Sequence, residues 1–458
     1  MVRILAVCLA ALFVHLALPA TAAGAGARPV RVLTSFPPQF LEPYRRAFEQ
    51  RHPDSTIEFV QRKTTAAVAE LVGGRQKADV FWASAPDAFE ILKAAGRLAR
   101  LKPRPTGAPE RIAGYPVNDP DGAYLGFALS GYGFVYNPDY MAEKGLPVPR
   151  GWSDLAAPAY AGHVGISAPS RSGTMHLMVE AILQVYGWER GWGLWSEIGG
   201  NLATVTARSF GVSAGVARGR FGIGPSIDFL ANQDGLPRGA MAFALPEETL
   251  FVPASIAVLS DADNREGAER FVDLVLSPDG QAILLDPAIA RLPISPAAYA
   301  VGDVVTGSPF RREGLFAHGL FDPRLSAARY ELVNIIFDEM ITFRRAELAR
   351  LWRSVRTVEA ALVRRGDAEA ARLVGEAREA LTRSPIGADE VMDLERWRKL
   401  ERVRRGVPAS EPQARLEARI RAAIDDNLRR AGRAVGEAAA RLDVQATGRG
   451  VAGAEVSR

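Results

Sequence analysis

The 458-residue sequence predicts an α/β fold of two hinged lobes with mostly parallel sheets, followed by an all-helical C-terminal region. Three observations carry that prediction. From Pro29 onward, short β-branched runs alternate with amphipathic helical patterns, the signature of a parallel sheet covered by helices. A second such stretch, about 132–244, is followed by an apolar return segment over 251–259, so the chain leaves one lobe and comes back to it. Beyond about Pro309 strand patterns stop, arginine and glutamate rise, and helical periodicity takes over.

In order along the chain, 30–33 reads as the first strand. Leu41, Tyr44 and Phe48 recur at helical spacing until His52-Pro53 stops the helix, and Ile57, Phe59 and Val60 form the next strand. Val68, Leu71 and Val72 mark a helix closed by Gly73-Gly74, ahead of a strand over 78–83. Pro86 then opens a helix that ends at Gly96, with proline at the start and glycine just past the end. The chain is expected to cross between lobes near 127–130 and again near 246–253. That gives lobe I as 29–128 and 250–305, lobe II as 129–249, and a cleft between them. The helical region is expected over 306–445 and a flexible Gly/Ala-rich tail over 446–458. Leu332, Ile335, Ile336, Met340, Phe343, Leu348, Leu351, Trp352 and Val355 fall on one helical stripe, and Leu416, Ile420, Ile424, Leu428, Ala431, Val435 and Leu442 on another. These stripes are expected to pack on each other or on the lobes, a coiled coil with a second copy being the alternative.

With 48% hydrophobic and 24% charged residues, the chain is globular and long enough for two or three domains, which excludes wholesale disorder. Its 56 Lys plus Arg against 52 Asp plus Glu leave a net +4, too even for a dedicated nucleic-acid binder, so no nucleic-acid partner is expected. The single cysteine, Cys8, excludes an internal disulfide or a CxxC pair, and the histidines show neither HxxxH nor HExxH spacing. No cofactor and no metal are expected. Residues 1–23 read as a cleavable secretory signal: Arg3, an apolar run over 4–18, then Pro19-Ala20-Thr21-Ala22-Ala23. That run is shorter than the roughly 20 residues a membrane-spanning helix needs. Export would remove Cys8 and leave a soluble chain with no thiol to mispair.

The segment richest in chemistry is Ser167-Ala168-Pro169-Ser170-Arg171-Ser172-Gly173-Thr174-Met175-His176, which runs into an amphipathic helix. Small hydroxyl residues and a glycine before a helix leave its first-turn N–H groups able to face an anion, and Arg171 adds a fork suited to phosphate or carboxylate. Ordinary N-capping by Ser172 or Thr174 is the plainer alternative for this segment taken alone. Arg208 and Ser209 repeat the same donor chemistry before another helix, and Asp228 follows a short buried strand at Gly222-Ile223-Gly224-Pro225-Ser226-Ile227. Thr34 with Ser35, and Ser84, follow strands, where open α/β sheets present loops to ligands, and Ser130 sits at the expected crossover. Thr34, Ser35, Ser84, Ser130, Ser170, Arg171, Ser172, Gly173, Thr174, Arg208, Ser209 and Asp228 are therefore the candidate ligand-binding residues.

An enzyme would need a nucleophile or an acid/base pair, and the sequence has no GxSxG elbow, P-loop or GxGxxG fingerprint. His176 near Ser172 could act as a general base, although a packing histidine is the plainer reading. Glu247 and Glu248 could form a carboxylate pair or meet a ligand amine. Trp188, Trp192 and Trp195 form a helical aromatic stripe that reads as core rather than ligand shelf.

Several stretches resemble the periplasmic solute-binding proteins of the type II, two-lobed class, and within it a branch that regulates phosphoglycerate transport. They are Gly151-Trp152-Ser153-Asp154-Leu155, the run over 167–180, Gly199-Gly200-Asn201-Leu202-Ala203-Thr204-Val205, the run over 207–212, and Leu276-Ser277-Pro278-Asp279-Gly280-Gln281. The similarity extends over about 29–363 and fades beyond. It implies a periplasmic binding protein rather than a catalyst, with lobes that close by hinge motion on a small phosphorylated carboxylate such as phosphoglycerate or phosphoenolpyruvate. It further implies a membrane sensor kinase or an ABC permease as partner, and a monomer. Carried over as ligand contacts are Ser170, Arg171, Ser172, Gly173, Thr174, Arg208 and Ser209. The alternative role is the substrate-binding subunit of an ABC importer for phosphonate, sugar phosphate or ferric iron. Tyr136 and Tyr140 do not form the adjacent tyrosine pair of the iron-binding branch.

Overall fold

The computed structural model describes residues 28–112, 115–232, 240–246, 251–300, 321–401 and 409–444. The expected signal segment, the tail over 446–458, and Glu247 and Glu248 lie outside the described residues.

The first lobe is laid down by β1 (Val30–Thr34), α1 (Pro38–Arg51), β2 (Ile57–Gln61), α2 (Thr64–Val72), β3 (Val80–Ala83) and α3 (Pro86–Ala94). Proline stands in the first turn of α1 and α3, where no backbone N–H is lost from the helix. Gly74 and Gly96, just past α2 and α3, hold φ of 64° and 66°, a conformation glycine adopts without penalty. A short ladder, β4 (Arg111–Ile112) with β5 (Tyr115–Pro116), precedes the 12-residue β6 (Leu125–Tyr136).

The second lobe comprises α4 (Pro138–Glu143), β7 (Val164–Ser167), α5 (Gly173–Tyr186), α6 (Trp188–Gly200), β8 (Leu202–Thr206), α7 (Ser209–Ala217), β9 (Ile223–Ile227) and β10 (Ala242–Ala244). The chain returns through β11 (Phe251–Val258) to α8 (Arg265–Leu276), α9 (Pro278–Ile283) and β12 (Leu292–Pro293). The strands join in the order β2-β1-β3-β11-β6-β9-β7-β8, with β10 and β12 also on β6. Pairing is parallel within β2-β1-β3 and β9-β7-β8 but antiparallel wherever β6 and β11 take part, so the sheet is mixed rather than mostly parallel. The reason is topological: the chain leaves lobe I along β6 and returns along β11, and two adjacent strands crossing in opposite directions must pair antiparallel. The first half of β6 pairs with β11 and β12, and the second half with β9 and β10.

Lobe I is built around Trp82, fully buried, with the rings of Phe36, Tyr44, Phe127 and Phe271 centred 5.0–5.3 Å from it. Lobe II shares a continuous apolar core with the helical region. That region is α10 (Pro323–Ala328), α11 (Tyr330–Phe337), a π-helical turn (Asp338–Thr342), α12 (Arg345–Arg365), α13 (Ala368–Thr382), α14 (Ala388–Val391), α15 (Leu394–Trp397) and α16 (Glu411–Arg441). The stripe expected on one helix from Leu332 to Val355 is split by the π-turn. The extra residue per turn there swings Phe343 out to 64% exposure, while Leu348, Leu351, Trp352 and Val355 stay buried. The second stripe, Leu416 to Leu442, is buried in the same molecule against α12 and α13.

Gly199 and Gly200 have a packing reason. A Cβ on Gly200 would sit 2.6 Å from Trp352 Cδ1, and one on Gly199 2.7 Å from Leu348 Cδ2, so these glycines let α12 lie flat on α6. Asn201 completes the dock by accepting from Arg356 Nη1 at 2.7 Å and donating to Leu155 O and Ala157 O. The tryptophan stripe is core: Trp192 and Trp195 are fully buried, and Trp188 donates to Ile386 O at 2.7 Å.

Candidate anion-binding cleft

Helix starts from both lobes meet at one cavity of about 60 Å³, lined by Ser35, Ser84, Arg171, Ser172, Gly173, Thr174, Arg208 and Ser209, and also by Arg62, Lys63 and Thr64. Phe36, Phe210 and Phe229 supply its apolar walls. At roughly 10–15 Å³ per water-sized atom, that is space for a group about as large as phosphate.

The helix ends are built in an unusual way. α5 has an ordinary N-cap: Ser172 Oγ accepts from Met175 N at 3.2 Å and also meets Ser209 Oγ across the mouth. The N-cap residues of α2 and α7 are instead Lys63 and Arg208, neither making a side-chain cap hydrogen bond, and none of the three helices carries an acid in its first turn. A cation at the positive end of a helix is unfavourable, and Ser, Thr, Asp or Asn is the stabilising choice there. Each helix start presents about half a positive charge together with unpaired N–H groups, so three of them aimed at one space attract an anion. Arg171 and Arg208 form no ion pair among the described residues, the Arg208 guanidinium lying 5.2 Å over Phe210. Gly173 keeps the lobes close here: a Cβ there would lie 3.2 Å from Ala85 Cβ and 3.3 Å from Thr64 Cβ of the opposite lobe, a tight fit that the neighbours must yield a little to admit. Thr64 donates to Ser35 Oγ at 3.0 Å, and Thr65 donates across the lobes to Ser170 O at 3.5 Å.

Four of the expected residues are placed elsewhere. Thr34 is fully buried, its Oγ1 accepting from Phe36 N at 3.1 Å, so it shapes the strand end. Ser170 sits behind the loop against Asp338, whose carboxyl is raised by burial and lowered by the Ser170 hydroxyl and by Arg171. Ser130 is buried at the crossover. Asp228, pushed up to about 6 by burial, accepts from Gly131 N and Phe229 N at 2.8 Å each and so pins the hinge. Arg62 and Lys63 precede α2, Thr64 is its first residue, and all three escape a reading of the sequence because this helix start has no conventional cap. The mismatch of a basic residue before a predicted helix start was the signal that could have found them.

His176 does not face the cleft. It is fully buried, its Nε2 3.4 Å from Asp87 Oδ2 of α3 and its Nδ1 3.0 Å from Asn334 Oδ1 of α11, with Tyr330 stacked at 3.7 Å. Burial holds it down to about 3 and Asp87 up to about 7. Ser326 of α10 donates to the same Asp87 carboxylate at 3.3 Å, and Arg329 grips Glu180 of α5. These helices thus tie both lobes to the C-terminal region directly behind the cleft.

Two lobes that pair through crossing strands and enclose a polar cleft define a solute-binding protein. The chain belongs to the bacterial extracellular solute-binding protein family, whose model matches residues 75–311. It is 31% identical over 350 residues to the phosphoglycerate transport regulatory protein PgtC of Salmonella typhimurium, covering 76% of this chain and 83% of that protein. Among solved structures, the periplasmic binding protein AfuA from Actinobacillus pleuropneumoniae, with fructose-6-phosphate bound, superposes with a TM-score of 0.60 at 17% identity, covering 69% of this chain and 99% of AfuA. Iron-bound HitA from Pseudomonas aeruginosa gives 0.55 at 18%, covering 67% and 98%. The shared fold therefore leaves about a third of this chain outside it. No described helix is long and apolar enough to cross a membrane.

Proposed function

We propose that the chain is a periplasmic binding protein for a small phosphorylated carboxylate of the phosphoglycerate or phosphoenolpyruvate kind, and that it acts in regulating the transport of that solute. It binds without turnover and reports the closed form to a membrane partner. The observation that carries this reading is the pair of basic, uncapped N-cap residues, Lys63 and Arg208, facing the α5 start around one phosphate-sized space. The name of the PgtC relative supports the choice of ligand class. On this reading lobe I comprises 29–128 and 250–305 and lobe II 129–249, and ligand closure draws α2 of lobe I toward α5 and α7 of lobe II. Charge-assisted contacts contribute about 1.5–3 kcal/mol each. Arg171→Ala should therefore weaken binding of 3-phosphoglycerate or phosphoenolpyruvate by about tenfold or more in calorimetry. Undiminished affinity for both in that variant would remove Arg171 from the site.

A further inference from the structure

Behind the cleft lies a cation that none of the expectations above uses. Arg291 is fully buried, yet its Nε and Nη1 have no hydrogen-bond partner among the described residues. Its Nη2 donates to Ser84 Oγ at 3.2 Å, and Ser84 lines the cleft. Its guanidinium carbon lies 4.5 Å from the centre of the Phe36 ring and 3.6 Å from that of Phe229, a lobe II ring that also lines the cleft. The Ser130 hydroxyl is likewise buried without a partner among the described residues. Asp228 attracts Arg291 at longer range, but its oxygens are already held by backbone N–H groups. Burial pushes the guanidinium down only to about 10, so it stays charged at neutral pH.

A buried charge with free donors is costly unless something pairs with it. We infer that Arg291 is the receptor for a second anionic group of the ligand, a carboxylate, and that the Phe229 ring occupies its place until the ligand enters. Because Ser84 Oγ accepts from Arg291, its own proton is free to donate into the cleft, so the two residues act together. The phosphate stays at the helix starts, and the other end of the ligand displaces Phe229. This rests on the phosphorylated-carboxylate reading above and adds where the carboxylate end is received.

The test compares 3-phosphoglycerate with glycerol 3-phosphate, which keeps the phosphate and lacks the carboxylate, by calorimetry on the full chain. Wild type should prefer 3-phosphoglycerate. Arg291→Met should lose at least tenfold for 3-phosphoglycerate and less than about twofold for glycerol 3-phosphate. Phe229→Ala, which uncovers the guanidinium without removing it, should widen the wild-type preference and serves as the decisive variant if Arg291→Met does not fold. Equal losses for both probes in Arg291→Met, or an unchanged preference in Phe229→Ala, would overturn the assignment. Equal binding of both probes by wild type would overturn it too while leaving the phosphate reading intact; no binding of either would instead sink the phosphate reading.

Discussion

Lys63 and Arg208 stand where a stable free helix would place serine or aspartate, and that mismatch is the residue-level signature of the cleft. Stability and binding should consequently trade against each other at these positions. Arg208→Asp supplies α7 with a cap and a charge of the right sign, together on the order of 1 kcal/mol or more. The expected outcome is a raised Tm in the ligand-free protein and a loss of phosphate-ester binding. A variant that kept its affinity would show that the α7 start does not hold the anion. The sequence displayed much of this site, because Arg171, Ser172, Arg208 and Ser209 sit beside helix starts that periodicity exposes. It hid Arg62 and Lys63, which have no cap pattern, and Arg291, whose neighbours Phe36, Ser84 and Phe229 come from distant parts of the chain.

At the scale of elements, α3, α5, α10 and α11 meet at Asp87, His176, Ser326 and Asn334. His176, lowered from 6.5 to about 3, binds a proton in the unfolded chain that it cannot bind when folded, so its contribution makes stability rise with pH across that window. Asp87, raised from 3.8 to about 7, does the reverse, and stability is lost as pH rises through its window. The flanking charges are Arg329, which depresses His176 further, and Glu180, which raises Asp87. His176→Asn removes the first contribution alone. The Tm gap between wild type and variant should widen as pH rises across the histidine's window and level off above it; a gap that ignores pH would contradict a neutral buried imidazole. Elements with strong apolar period were legible, α1 and α16 among them. α13 was harder to read, since Ala370, Ala377 and Ala380, residues too small to mark a stripe, make up half of its buried face beside Leu373, Val374 and Leu381. The π-turn was invisible for another reason: it interrupts a stripe whose residues still look periodic on either side.

For the molecule as a whole, the helical region is part of lobe II rather than an appendage. Trp192, Trp195 and Ile198 share one core with Trp352, Ile420 and Ile424, and Gly199 and Gly200 at the end of α6 leave room for α12. Deleting residues beyond Val363 strips away α13 and α16 and uncovers that core, so the truncated chain should be insoluble or unfolded by circular dichroism. A folded, ligand-competent truncation would mean that the helices dock without bracing. The contact of α10 with α3 also ties this region to lobe I. The two-lobe plan was legible because a second strand–helix alternation over about 132–244 is followed by the apolar return segment that forms β11, whereas the antiparallel pairing of β6 with β11 is a consequence of the crossing that pattern alone does not show. The central claim, a cleft for a phosphorylated carboxylate, is tested most directly by the Tm of the full chain with and without 3-phosphoglycerate or phosphoenolpyruvate. Binding stabilises by about 2.7 kcal/mol at a hundredfold excess over Kd, so Tm should rise in wild type and much less in Arg208→Ala; an unmoved wild-type Tm at millimolar ligand would contradict the account.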